Sequence, residues 1–369
     1  MADKVNIGVV GCGAISGAYF GMARNLPVLN MVACADLDRA KAEARAAEFG
    51  VPRVESVDEL MADPDVQVVL NLTVPKAHAP LALQALANGK HTFAEKPFGV
   101  NAKEGWAVLE AAQAAGLRVG CAPDTFLGAG LQTARKLLDD GAIGQPVACT
   151  AFMMCRGHET WHPSPEFYYE VGGGPMFDMG PYYLTALLNL LGPVKRYAGM
   201  ANIAIPERVI TSQPKHGKRI TVETPDHLCG LLEFANGVVG TIIQSFATMF
   251  PTNGAPITIY GTEGTMRVPD PNAFDGPVSL RRPGDDDWVE MPHTFVKGYG
   301  RAVGLADMCT ALAGSGRPHR CSGEQAFAVL DLMAGFLGSA ASGQFLTPEI
   351  RYERPAPMPA ELPFGQLDG

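Results

Sequence analysis

The stretch GGGPMFDMGPYY, residues 172–183, sets Asp178 four positions before Tyr182 and just ahead of the apolar run LTALLNLLG. The pattern predicts a helix over about 179–191. Side chains four apart share a helix face, so a carboxylate and a phenol would stand together near the helix N-terminus. The positive end of the helix dipole favours anionic charge there, which would help a phenol act as a base or steady an alkoxide. Three consecutive glycines permit a tight backbone and close approach to a ligand. The plainer alternative makes Asp178 the N-cap and Tyr182 a packed aromatic. A free phenol titrates at about pH 10, so acid–base work near neutrality needs a cation beside it.

Lys96, in AEKPFG (94–99), is the candidate cation. It could hold a hydroxyl or an alkoxide by charge, or it could be a surface lysine paired with Glu95. A third stretch, RGHETWHPSPEFYYE (156–170), mixes Trp161, Phe167, Tyr168 and Tyr169 with His158, Glu159 and His162. Flat apolar faces beside hydrogen-bonding groups suit a sugar or cyclitol, which has apolar C–H faces and many hydroxyls. A loop packed on its own aromatics is the other reading. His158 and His162 lack a third ligand at a sensible spacing, so no metal site is expected. The candidates for substrate contact are Lys96, Trp161, His162, Tyr169, Asp178 and Tyr182. Asp124 either lines the same cleft or lies at the surface, and the acidic run GDDDW (284–288) reads as a solvated turn.

The elements that must position these residues change character along the chain. Up to about residue 121, apolar runs alternate with helical patterns. The runs are 5–11, 30–36, 66–72, 91–95 and 117–121, and the helices are about 14–25, 38–48, 79–88 and 102–115. This alternation predicts a doubly wound parallel sheet with helices on both faces, whose ligands bind at the carboxyl ends of the strands. After a helix over 131–140 and a strand near 146–154, successive β segments with short turns predict a large open, mostly antiparallel sheet. Helical patterns return at about 300–314 and 324–341. The expected division is a nucleotide-binding domain over 1–123 and an α+β domain over 124–369, which binds substrate and drives self-association.

The first strand runs into GCGAISG (11–17). Gly11 permits the tight turn, Gly13 lets the backbone approach a pyrophosphate, and Ala14 and Ile15 lead into the helix whose N-terminus holds it. Ser16 stands where a third glycine would allow close packing. Asp36, twenty residues beyond Ser16 at the end of strand two, is placed to bond a ribose 2′-hydroxyl. It would repel a 2′-phosphate, so NAD is expected over NADP, with Arg39 as the one residue that could accommodate NADP. Thr73, Pro75 and His78 in NLTVPKAH, with Glu95 and Lys96, stand at the next two strand ends and complete the candidate cofactor contacts.

The glycine turn, NLTVPKAH, AEKP and the glycine run leading to Asp-x-x-x-Tyr together resemble the Gfo/Idh/MocA oxidoreductases. The resemblance extends through YGTEGTM (260–266) and SGEQA (322–326). It implies a Rossmann domain followed by an α/β domain with a large open sheet, and a homodimer or homotetramer. Lys96 then falls on the family's active-site lysine, Asp178 on its aspartate and Tyr182 on its acid/base position. Many members carry histidine at that last position; tyrosine marks the branch of glucose–fructose oxidoreductase and dihydrodiol dehydrogenase. The implied activity is hydride transfer between a carbinol carbon of a sugar, polyol or cyclitol and NAD. Redox-neutral glycoside cleavage and a non-catalytic dinucleotide-binding regulator remain as alternatives.

The net charge of −9 without a basic cluster argues against nucleic acid and anionic membranes as partners. The amino terminus lacks the pattern of a secretory leader and no apolar run approaches membrane length, so a cytoplasmic protein is expected. The eight cysteines show no CxxC spacing and read as reduced thiols, with Cys12, Cys34 and Cys121 in the core.

Overall fold

The computed structural model describes residues 4–251 and 254–368. It divides into two compact units. One holds Met1–Gln132, Thr294–Leu330 and Pro355–Gly369; the other holds Thr133–His293 and Asp331–Arg354. The division is therefore not a single cut at residue 123. Later segments return to the edge of the first sheet. Gly120 bridges Ser322, His319 bonds the Val119 carbonyl, and the backbone N–H groups of Ala302 and Gly304 donate to Asp124.

In the first unit, β1 (Val5–Val10), β2 (Leu29–Ala35), β3 (Arg53–Val54), β4 (Val68–Asn71), β5 (His91–Ala94) and β6 (Val119–Cys121) form one sheet in the order β3-β2-β1-β4-β5-β6. Every neighbouring pair is parallel. Ile7, Val9, Val68, Val69, Leu70 and Phe93 are fully buried, as strands covered on both faces must be. The connecting helices are α1 (Ser16–Ala23), α2 (Arg39–Phe49), α3 (Val57–Ala62), α4 (Pro75–Ala87) and α5 (Ala102–Ala115). α1 packs beside α2, and α4 beside α5. The strand order reverses between β1 and β4, which opens a crevice at their carboxyl ends. α4 starts earlier than expected because Pro75 occupies its first turn, where a missing N–H costs nothing. β3 and α3 were not expected: they are too short to show a period, and α3 is fixed by a Ser56–Glu59 capping box.

In the second unit, β7 (Pro146–Met154), β8 (Val194–Asn202), β11 (His227–Phe234), β12 (Val239–Ser245), β13 (Ile257–Gly261), β14 (Thr265–Val268), β15 (Val278–Arg281) and β16 (Val289–Met291) form an eight-stranded sheet. A two-stranded ladder pairs β9 (Glu207–Val209) with β10 (Arg219–Thr221). β7 lies inside the large sheet, parallel to β12 and antiparallel to β13; the remaining pairs are antiparallel. Burial alternates along β11, so one face is core and the other is open. The buried helices α7 (Gly174–Asp178) and α8 (Gly180–Leu191) follow α6 (Ala129–Asp139) and β7 in the chain.

After α9 (Val303–Thr310), the helix α10 (Gly323–Ser342) corrects one expectation: by length and composition it could cross a membrane. Its apolar residues instead pack within the protein. Phe327 meets Trp106 edge-on, Phe336 meets Tyr197, and Asp331 accepts the Glu349 N–H.

Candidate functional site

In the first unit, β1 is followed at once by Gly11, with φ +99°. A Cβ there would lie 2.7 Å from the Leu72 carbonyl carbon, so only glycine fits between the ends of β1 and β4. Gly13 is exposed, and a Cβ on it would meet nothing within 4 Å, which leaves its backbone open to a ligand. Ser16 does more than replace a small residue: its buried hydroxyl donates to the Gly13 carbonyl at 2.7 Å and closes the turn. Exposed Ala14 and Ile15 lead into α1, whose first N–H groups are of the kind that bind an anion. Asp36 follows the last residue of β2. Its carboxylate accepts the N–H of Cys12 at 2.7 Å and of Asp38 at 2.9 Å, which fixes it beside the turn. These residues fit the pyrophosphate and the adenosine ribose of NAD.

Arg39 pairs with Glu43 on the exposed surface of α2 rather than turning to Asp36. Sequence reasoning missed Arg45, whose guanidinium donates to the Gly13 carbonyl at 3.3 Å while pairing with Glu48 at 2.6 Å. Nothing local marks it, since an Arg–Glu pair three apart is ordinary on a helix surface.

At the end of β4, Thr73 donates its N–H and its hydroxyl to the buried Asn71 side chain. Pro75 opens α4. His78 is corrected from cofactor contact to scaffold. It is 1% exposed, and its ring nitrogens lie 2.7 Å from the Pro97 carbonyl and 3.1 Å from the Thr73 carbonyl. It ties the loop after β4 to the loop after β5. Glu95 is likewise buried, accepting from the Tyr19 hydroxyl at 2.7 Å and from the Lys96 N–H at 3.0 Å. It fixes the backbone that carries half-buried Lys96. Asp124 neither lines a cleft nor lies at the surface. It is fully buried on the Ala302 and Gly304 N–H groups, with Arg301 3.7 Å away. Burial raises its carboxyl above the usual range, and Arg301 opposes that shift.

In the second unit, the glycine run gives the tight backbone expected of it. A Cβ on Gly173 would lie 2.5 Å from the Phe167 carbonyl oxygen, and Gly172 and Gly174 adopt φ +90° and +81°. The chain thus folds against its own aromatic loop. Asp178 is not the N-cap of the long helix. It is the last residue of α7; Met179 intervenes, and Tyr182 lies buried in the first turn of α8.

Asp178 meets His158, with Nε2 to Oδ2 at 3.1 Å. The imidazole packs against Tyr168, Phe246 and Trp161 at centroid distances of 4.2, 4.4 and 5.3 Å. Trp161 is 61% exposed and offers a flat apolar face. His162 stacks edge-on with Trp161, and its Nδ1 accepts the Ser164 N–H. Tyr169 is corrected from substrate contact to interior. It is fully buried; its hydroxyl donates to Glu159 and accepts the His158 N–H at 2.9 Å. Burial, chiefly, raises that phenol far above its usual range. Arg208, unforeseen in sequence, then joins Glu159 at 2.9 Å and Asp226 at 2.7 Å. It sits on a three-residue strand too short to read.

Comparison with known proteins agrees in both halves of the chain. Residues 5–122 match the oxidoreductase family model with an NAD-binding Rossmann fold, and residues 131–267 match the GFO/IDH/MocA C-terminal domain. The 1,5-anhydro-D-fructose reductase of Ensifer adhaerens is 26% identical over 345 residues, covering 91% of this chain and 96% of the relative. The trans-1,2-dihydrobenzene-1,2-diol dehydrogenase of Mus musculus is 28% identical over 265 residues, covering 71% and 73%. A solved levoglucosan dehydrogenase, in complex with NADH and levoglucosan, shares the fold with a TM-score of 0.81 at 21% identity, covering 94% of this chain and 100% of that one.

Proposed function

Because this chain belongs to the Gfo/Idh/MocA oxidoreductase family and carries its NAD-binding Rossmann domain, we propose that it is an NAD-dependent dehydrogenase or reductase of a sugar, polyol or cyclitol. The observation that carries the reading is the Asp36 carboxylate, seated on the Cys12 N–H of the glycine turn, where a ribose diol is bonded and a 2′-phosphate is repelled. The named relatives act on an anhydro-sugar and on a cyclic diol, and the solved neighbour holds levoglucosan, which supports a polyhydroxylated ring as substrate.

NAD, when bound, supplies the hydride acceptor or donor. The chain's residues handle the proton and the orientation. Tyr182 takes the proton of the reacting hydroxyl, or returns it in reduction. Lys96, on the family's active-site lysine position, is the cation that chemistry of this kind calls for. Asp178 accepts a hydrogen bond from a neighbouring hydroxyl and so selects a polyol. Trp161 presents an apolar face to the ring's C–H groups.

The test supplies NAD with levoglucosan, myo-inositol, aldoses and a cyclic trans-diol and follows reduced nicotinamide. Turnover of at least one compound is expected. Tyr182→Phe should lose about 10²–10⁴-fold in kcat, the usual share of general acid–base catalysis, while NAD affinity stays unchanged. Full turnover by that variant would remove Tyr182 from the chemistry.

The reading includes a homo-oligomer. On the open face of the large sheet, Met200, Leu231, Val239 and Tyr260 are 79%, 49%, 54% and 41% exposed. Cys229 joins them, paired in register with Met200. These apolar side chains share their face with Thr241 and the Glu233–Arg196 ion pair, and a face of this mixed kind suits a second copy of the same chain.

A further inference from the structure

We propose that His158 is a positioning residue for the reaction, acting through Asp178; the inference rests on the reading of Asp178 as a substrate-binding residue. A carboxylate only accepts hydrogen bonds, so His158 Nε2, 3.1 Å from Asp178 Oδ2, must be the donor. The other ring nitrogen, Nδ1, is buried, with no hydrogen-bond partner among the described residues. Among the described residues, the ring's hydrogen bonding is directed at Asp178. Burying a half-satisfied imidazole is costly, and a phenylalanine would fill the same aromatic box without that cost. The polar ring is explained by what it does to the carboxylate.

The ring is also held unusually well for a loop residue. Tyr168, Phe246 and Trp161 pack around it. Its own N–H donates to Tyr169, whose hydroxyl is fixed by Glu159. Glu159 is fixed by Arg208, which also donates to the carbonyls of Arg156 and Phe246. One buried guanidinium thus pins the turn that carries His158 and the residue that backs its ring. Such support converts a loop histidine into a rigid donor.

The experiment compares His158→Phe, which keeps the packing, with His158→Gln, whose amide can replace the Nε2 donor. Both are made also in an Asp178→Asn background and assayed with NAD and levoglucosan or myo-inositol. His158→Phe should lower kcat about ten- to a hundredfold, in the range of one charge-assisted hydrogen bond, with NAD affinity unchanged. His158→Gln should recover most of that loss, and His158→Phe should add less than about twofold once Asp178 is already Asn. Equal loss in both backgrounds, or no rescue by Gln, would overturn the inference while leaving Asp178 in place. No effect of Asp178→Asn itself would sink the reading of Asp178 and the inference with it. A readout independent of turnover is the nitrogen NMR spectrum of histidine-labelled protein. His158 should show a protonated Nε2 whose signal moves in Asp178→Asn. An unmoved signal would overturn the inference.

Discussion

The carboxylate of Asp36 accepts the backbone N–H of Cys12 at 2.7 Å, and so holds the acid of one strand end against the glycine turn of its neighbour. A group fixed in this way offers a ribose diol a prepared partner. Asp36→Ala should weaken NADH binding about ten- to a hundredfold, the range of a hydrogen bond to a charged group, and should narrow the preference over NADPH. Fluorescence titration with both reduced cofactors measures this. Unchanged NADH affinity would show that the acid only shapes the turn.

Gly173 is required by the chain. A Cβ would sit 2.5 Å from the Phe167 carbonyl oxygen, which is backbone and cannot swing aside. Gly173→Ala should destabilise the protein by about 1–3 kcal/mol, as overpacking does. Gly254→Ala is the comparison for a glycine with positive φ and open space, where the cost is conformational only. Urea denaturation of the two variants separates the effects; equal midpoints would contradict the steric account.

Acid stability should depend on Glu166. Hydrogen bonds from Lys215, then Lys218, hold its carboxyl at about 2 rather than 4.5. The folded form therefore keeps the charge to lower pH than the unfolded chain does. The resulting stabilisation is complete above about pH 4.5 and is lost as pH falls toward 2. Stability curves of the wild type and Glu166→Gln should lie apart at pH 6 and converge only as the pH falls to about 2. A constant difference across that range would exclude the titration of Glu166 as the cause.

The open sheet face should be buried in solution. Met200→Glu with Leu231→Glu should convert the oligomer to monomer by light scattering, because two charges would have to be desolvated. Half-buried Cys229 lies on that face and should alkylate faster in the double variant than in the wild type. A wild type that is already monomeric would remove the second copy from the account.

The sequence made the nucleotide half legible because its signals are local. Strand period, the Gly11 turn and Asp36 lie within one strand–helix–strand unit, and β7 fell on its expected residues. The aromatic loop was legible in composition but not in geometry. Whether Tyr169 or Trp161 faces solvent depends on partners that no local pattern encodes. Tyr169 turned inward because Glu159 and Arg208 needed its hydroxyl and ring, and Arg208 lies 49 residues beyond Glu159. Asp178 and Tyr182 keep their spacing of four, but a break at Met179 puts them in successive helices, and the bond from His158 to Asp178, 20 residues apart in the chain, has no local signal. His78 and Glu95 stood at the right strand ends but proved to be internal struts, because the loops they join need buried partners for their backbone groups.

The central claim is that a hydride moves between a carbinol carbon and NAD. The most direct measurement supplies NAD with levoglucosan, myo-inositol and glucose deuterated at every carbon, and weighs the reduced cofactor by mass spectrometry. One deuterium per reduced nicotinamide is expected with at least one of these compounds, and almost none with Tyr182→Phe in the same time. Reduced cofactor without deuterium, or NAD that binds and never receives deuterium from any of them, would contradict it.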